Sequence, residues 1–137
     1  MNKEFIPYDE ALALRELGFD EIVIAGYMKE DKSLYTFELE PGDNPNENWG
    51  RLGKVPWEEY SIPAPLYQQA FRWFREKYNL VAEIQAPDGK DGKWNPTIHK
   101  SYGFGNYYDN DGFNRYEEAE LYCLRKLIEI VKLKKIK

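Results

Sequence analysis

Apolar residues recur every three to four positions in three stretches of the chain and alternate or cluster in several shorter ones. The pattern predicts three helices and two hairpins. The first helix runs from Pro7 to Leu17, with Ala11, Leu14 and Leu17 on one face. Pro7 suits a first helical position, and Asp9 and Glu10 sit near the positive end of the dipole. Gly18 supplies a left-handed stop, and Phe19 is placed to pack back on Leu14. Two strands follow, Glu21 to Met28 and Leu34 to Leu39, joined by the polar run Glu30-Asp31-Lys32-Ser33.

A second helix is predicted from Pro65 to Tyr78. Tyr67, Ala70, Phe71, Phe74 and Tyr78 form its apolar face, Arg72, Trp73 and Arg75 fall off it, and Asn79 is a left-handed cap. Leu80 to Ala86 and Lys93 to Lys100 read as a second hairpin, with turn signals at Asp88-Gly89 and Asp91-Gly92. Pro96 removes a backbone donor, which demotes the returning strand to an edge strand or an interrupted one. The last helix opens on Asn114 as cap, with Glu117 completing a capping box. Its stripe is Tyr116, Ala119, Cys123, Leu124, Leu127, Ile128 and Val131.

The order is therefore α-β-β-α-β-β-α. Three amphipathic helices bury their stripes most simply on one face of an antiparallel four-stranded sheet, so the expected fold is an α+β two-layer sandwich. At 137 residues the chain has the size of a single domain, 1–137. Two connections are long. One spans Pro41 to Tyr60 and is rich in Pro, Gly and Asn, with Trp49 and Trp57 as anchors. The other, Ser101 to Phe113, is a Gly/Tyr/Asn-rich loop.

Composition narrows the function classes. The net charge of −5 speaks against a general nucleic-acid binder, which needs a basic face. The single cysteine, Cys123, excludes an internal disulfide, fits a buried position and points to a reducing, cytoplasmic setting. No apolar run reaches membrane-spanning length, and none at the N-terminus has signal-peptide length. Aromatics make up 16% of the chain, more than a core of this size requires, so some rings should face a ligand or partner.

No catalytic motif stands out. His99 is the only histidine, which rules out a two-histidine metal site, and no nucleophile signature accompanies it. Asp109, Asp111, Gly112 and Glu118 occupy four positions of a calcium loop, but Tyr107 stands where its first carboxylate belongs, and no metal or other cofactor is expected. The acidic pairs Glu58-Glu59 and Glu117-Glu118 are sequence neighbours, and helical neighbours point apart.

The candidate ligand contacts are therefore loop residues. Trp49, Tyr102 and Tyr107 offer stacking surfaces, Arg51, Lys54 and Arg115 offer cations for phosphates, and Asn106 and His99 offer orienting hydrogen bonds. The bland alternative for each is a solvated loop residue or a ring covering the core edge.

The segments Phe5-Ile6-Pro7-Tyr8, Leu12 to Asp20 (LALRELGFD), Ile62 to Tyr78 (IPAPLYQQAFRWFREKY) and Tyr116 to Glu120 (YEEAE) resemble a family of small proteins carried by phages, prophages and mobile elements. The resemblance covers both ends and the middle helix, and is weaker in the long loop and second hairpin. It implies a protein acting on host defence by binding, in the cytoplasm of an infected or lysogenic bacterium. One class of such proteins sequesters cyclic or ADP-ribose-type nucleotide signals, as oligomers with pockets between subunits. Three readings stay open: a nucleotide-sequestering protein, an adaptor that binds a host protein through aromatic surface, and a nucleotide-cleaving enzyme using His99 and a carboxylate.

Overall fold

The computed structural model describes residues 4–21, 23–36, 61–87, 92–100, 106–109 and 112–136. The chain is a mixed α+β protein whose contacts gather into two compact units, Met1–Leu66 and Tyr67–Lys137.

In the first unit, helix α1 (Tyr8–Glu16) follows Pro7, whose carbonyl accepts from the Ala11 N–H at 2.8 Å. Its end is a Schellman turn. Gly18 takes φ +100°, its N–H bonds to the Arg15 carbonyl, and the Phe19 N–H bonds back to Leu14, both at 3.0 Å. Leu14 and Phe19 are both buried, which supplies the expected apolar contact.

Strands β1 (Ala25–Met28), β2 (Leu34–Thr36) and β3 (Ser61–Pro63) form an antiparallel sheet in the order β2-β1-β3. The hairpin turn is closed by Asp31, whose Oδ1 accepts from the Ser33 N–H at 3.0 Å and its hydroxyl at 2.7 Å. Strand β1 begins at Ala25 rather than Glu21, and among the described residues its pairing with β2 starts at Ala25–Thr36. The predicted continuation of β2 to Leu39 lies outside the described residues. Strand β3 was not anticipated. It pairs Gly26 with Pro63 and Tyr27 with Ile62, and Ile62 is fully buried. The Tyr27 hydroxyl reaches through the core to donate to the Ile6 carbonyl at 2.7 Å.

In the second unit, helix α2 (Tyr67–Tyr78) passes through the single residue Asn79, at φ +58°, into β4 (Leu80–Gln85). Strands β5 (Asn95–Lys100) and β6 (Asn106–Asp109) complete an antiparallel meander, β4-β5-β6, and helix α3 (Tyr116–Ile136) closes the unit. Helix α2 packs on β4, and α3 packs on β4, β5 and α2. Leu80, Ala82 and Ile84 alternate with Val81, Glu83 and Gln85 along β4. Cross-strand pairing puts Pro96 and Ile98 with the first set, and Asn95, Thr97 and His99 with the second.

Several expectations are corrected here. The single four-stranded sheet is replaced, among the described residues, by two three-stranded sheets. The four anticipated strands are shared two and two, and each hairpin recruits a short third strand. Pro96 lies in a central strand, not an edge. Among the described residues β6 pairs with Thr97 to His99, and Pro96 pairs with Ile84 of β4. Trp73 is buried, not off the apolar face: its ring packs edge-on against Phe74 at 5.0 Å and Tyr78 at 5.5 Å, while Lys77 covers it at 5.1 Å. Phe71 takes the half-buried position instead. The first bond of α3 runs from the Ala119 N–H to the Arg115 carbonyl, so Arg115 rather than Asn114 occupies the cap position.

Candidate functional site

The Gly/Tyr/Asn-rich segment 101–113 is not wholly a loop, because residues 106–109 form β6. Two tyrosines in four residues favour a strand once a partner edge is available. Its pairing with β5 is irregular: Ile98 faces Tyr108 and His99 faces Asn106, so Tyr107 is an extra residue in the ladder. Such a bulge interrupts pairing and re-aims the edge, and bulges concentrate beside binding and active sites. Three of the anticipated ligand contacts, His99, Asn106 and Tyr107, are thereby brought to one place on the sheet.

His99 is held by two acceptors. Its Nε2 lies 3.0 Å from Glu83 Oε1, and its Nδ1 lies 3.2 Å from the Lys100 carbonyl oxygen. A neutral imidazole donates from one nitrogen only. Two facing acceptors are both satisfied by the imidazolium, and the hydrogen bond to Glu83, helped by that to Lys100, raises the His99 pKa above its ordinary 6.5. The pair is partly exposed, His99 at 30% and Glu83 at 55%, so its contribution is small, about 0.5 kcal/mol. Because the folded pKa is raised, that contribution is complete below pH 6.5 and is lost as pH rises through the folded value. His99 is the only histidine, so one NMR titration reads it. The Glu83→Gln variant is expected to bring its midpoint down toward 6.5, and an unmoved midpoint contradicts the pairing.

With both ring nitrogens engaged, His99 is poorly placed to act as a base or a metal ligand. Among the described residues no group of three His, Cys, Asp or Glu side chains is placed to hold a metal ion, and Asp111 of the partial calcium pattern lies outside them. Arg115 is exposed, and its Nε faces Glu118 at 3.5 Å, one turn on. Trp49, Arg51, Lys54 and Tyr102 lie outside the described residues.

Beside β5 the chain builds an aromatic wall. Trp94 and Phe113 exchange both backbone hydrogen bonds, at 2.8 and 2.9 Å. Trp94 packs edge-on against Tyr116 at 5.2 Å, and Phe113 lies 5.3 Å from Tyr122. Tyr116 remains 40% exposed.

Sequence reasoning missed two residues here. Glu83 is found only once the hairpin register places it near His99, sixteen residues away. Glu120 is buried to 8% exposure, the one buried charged side chain among the described residues. Burial, then the Glu117 carboxylate, pushes its pKa up from 4.5 to about 7, against the lowering effect of the Tyr116 hydroxyl. A signal was present: position 120 falls on the helical stripe between Tyr116 and Cys123. Cys123 is buried as expected, and its thiol is pushed up to about 12 by burial and by Glu120.

Among the described residues no helix is long and apolar enough to cross a membrane. No protein-family model, curated protein or solved structure matches the chain.

Proposed function

We propose that the chain is a phage-type binding protein that sequesters a nucleotide-derived small molecule, of the cyclic-nucleotide or ADP-ribose kind, and so blunts host defence in the bacterial cytoplasm. The observation that carries this reading is the bulge of β6 at Tyr107, opposite the His99–Asn106 pair. It sets Asn106 and Tyr107 on β6 beside His99 on β5, residue types suited to a base and its sugar. Binding is favoured over cleavage because the imidazole is already tied to two acceptors. The cationic contacts for phosphate are Arg51, Lys54 and Arg115, with Trp49 and Tyr102 as further stacking surfaces. The ligand is held in a homo-oligomer, with no nucleic acid, metal or cofactor involved.

A thermal-shift panel of cyclic dinucleotides and ADP-ribose derivatives tests this. A true ligand at a hundredfold excess over its Kd stabilises the folded state by about 2.7 kcal/mol. The bound molecule should be recovered unchanged by mass spectrometry, and Tyr107→Ala should remove most of the shift. A changed product would establish an enzyme, and a flat panel would end the proposal.

A second reading is favoured by Tyr116, which stands 40% exposed against Trp94. It makes the aromatic wall a docking surface for a host protein, and it predicts a partner that co-purifies with the chain and is lost with Tyr116→Ala.

A further inference from the structure

Helix α3 packs on β5, and Cys123, in its second turn, is fully buried. One turn earlier stands Glu120, buried in the same stripe. Its carboxyl is hydrogen-bonded by the Tyr116 hydroxyl, and Glu117 lies three residues before it. Tyr116 in turn leans on Trp94, just ahead of β5. A neutral carboxyl sits in such a place at modest cost. A charged one must lose its hydration while sharing the helix face with a second carboxylate.

Among the described residues, the charges acting on it do not relieve it. At the cap of α3, Arg115 faces Glu118, and on α3 Glu117 is a like charge. On β4 and β5, Glu83 and His99 answer each other, and Lys100 is exposed at the strand end. Lys93, ahead of β5, is half-buried. On α2, Arg72, Arg75, Glu76 and Lys77 are exposed. The groups acting on Glu120 are Glu117 and the Tyr116 hydroxyl, and Cys123 feels Glu120 in turn.

We propose that Glu120 is a pH-sensitive latch: protonated, it lets the first turns of α3 rest on β5, and ionised, it loosens them and uncovers Cys123. The direction follows from linkage. A carboxyl whose folded pKa lies above its unfolded value holds its proton more tightly when packed. The packed state is therefore favoured fully below about 4.5 and loses that advantage as pH rises through about 7. The opening equilibrium should grow roughly tenfold between pH 6 and pH 8 on this ground alone.

Cys123 is the only cysteine, so alkylation of the native protein by iodoacetamide reports this opening without ambiguity. Thiolate formation also accelerates the reaction with pH, so the informative quantity is the rate ratio between wild type and Glu120→Gln. That ratio is expected to rise roughly tenfold from pH 6 to pH 8. An equal ratio at both pH values overturns the latch. Should Glu120→Gln fail to fold, Glu117→Gln serves instead. Removing the like charge makes Glu120 easier to ionise in place, so the ratio of wild type to this variant should also rise with pH, and a constant ratio overturns the proposal. An equal pH-dependent loss of amide protection in β1 would replace a local latch with global unfolding, and would overturn it too.

Discussion

Cutting Phe74 back to alanine is expected to destabilise the protein by about 3–5 kcal/mol. Phe74 is fully buried on α2, and its ring touches Trp73 edge-on at 5.0 Å and Tyr78 at 6.2 Å. Removing it takes away apolar burial and leaves a void that two neighbouring rings are too rigid to fill. Those rings also lose a contact worth about 0.5–1.5 kcal/mol beyond area. Urea unfolding should show a lower midpoint at an unchanged slope, since a cavity alters stability and not the surface exposed. Phe74→Leu should recover more than half of the loss. If Phe74→Ala costs less than about 1 kcal/mol, α2 is not packed as described.

Gly112→Ala is expected to be nearly as damaging, at about 3 kcal/mol, although it adds one methyl group. Gly112 takes φ +110°, a region that side chains with a Cβ rarely enter. A Cβ there would stand 2.7 Å from Asn95 Oδ1 and 2.9 Å from Lys93 Cβ. The asparagine amide can swing aside, but the Lys93 Cβ is fixed to the backbone that pairs Trp94 with Phe113. The comparison is Gly92→Ala. Gly92 has φ +66° and, among the described residues, no heavy atom within 4 Å of its added Cβ. Backbone strain alone acts there, and the expected cost is about 1 kcal/mol. The difference between the two variants isolates the steric part. Equal losses would mean that the Trp94–Phe113 bridge yields freely.

Local chemistry made the helix ends readable. Gly18 with Phe19 and Leu14 announces a Schellman turn, and Asn79 announces a left-handed cap, because both depend on residues within a few positions of each other. Partnership across distance was not readable. Strands β3 and β6 are three and four residues long and draw their stability from the strands they join, so no run of apolar residues marks them. Pro96 suggested an edge or interrupted strand because sequence does not say that a third strand joins the far side of β5. Trp73 looked exposed because one apolar stripe was drawn too narrowly, and α2 buries positions 70, 73 and 74 together. Of the candidate site, the 101–113 segment and His99 were visible as chemistry. The carboxylate that fixes His99 was not, since the register of the β4–β5 hairpin alone brings it near. Glu120 was hidden for the opposite reason: its charge argued for water while its spacing argued for the core.

The joint between α2 and β4 has a mechanical result. One residue separates helix from strand, and its N–H is tied to the Arg75 carbonyl at 3.1 Å. There is no slack. Moving the helix along its axis by one residue, about 1.5 Å, asks the strand to travel less than half of its own repeat of about 3.3 Å. A ladder slides only in whole steps, and a single step would turn Leu80 outward and Val81 inward. Rod and ribbon therefore hold each other in gauge, and length changes at Asn79 should be tolerated far less than the same changes at the β4–β5 turn.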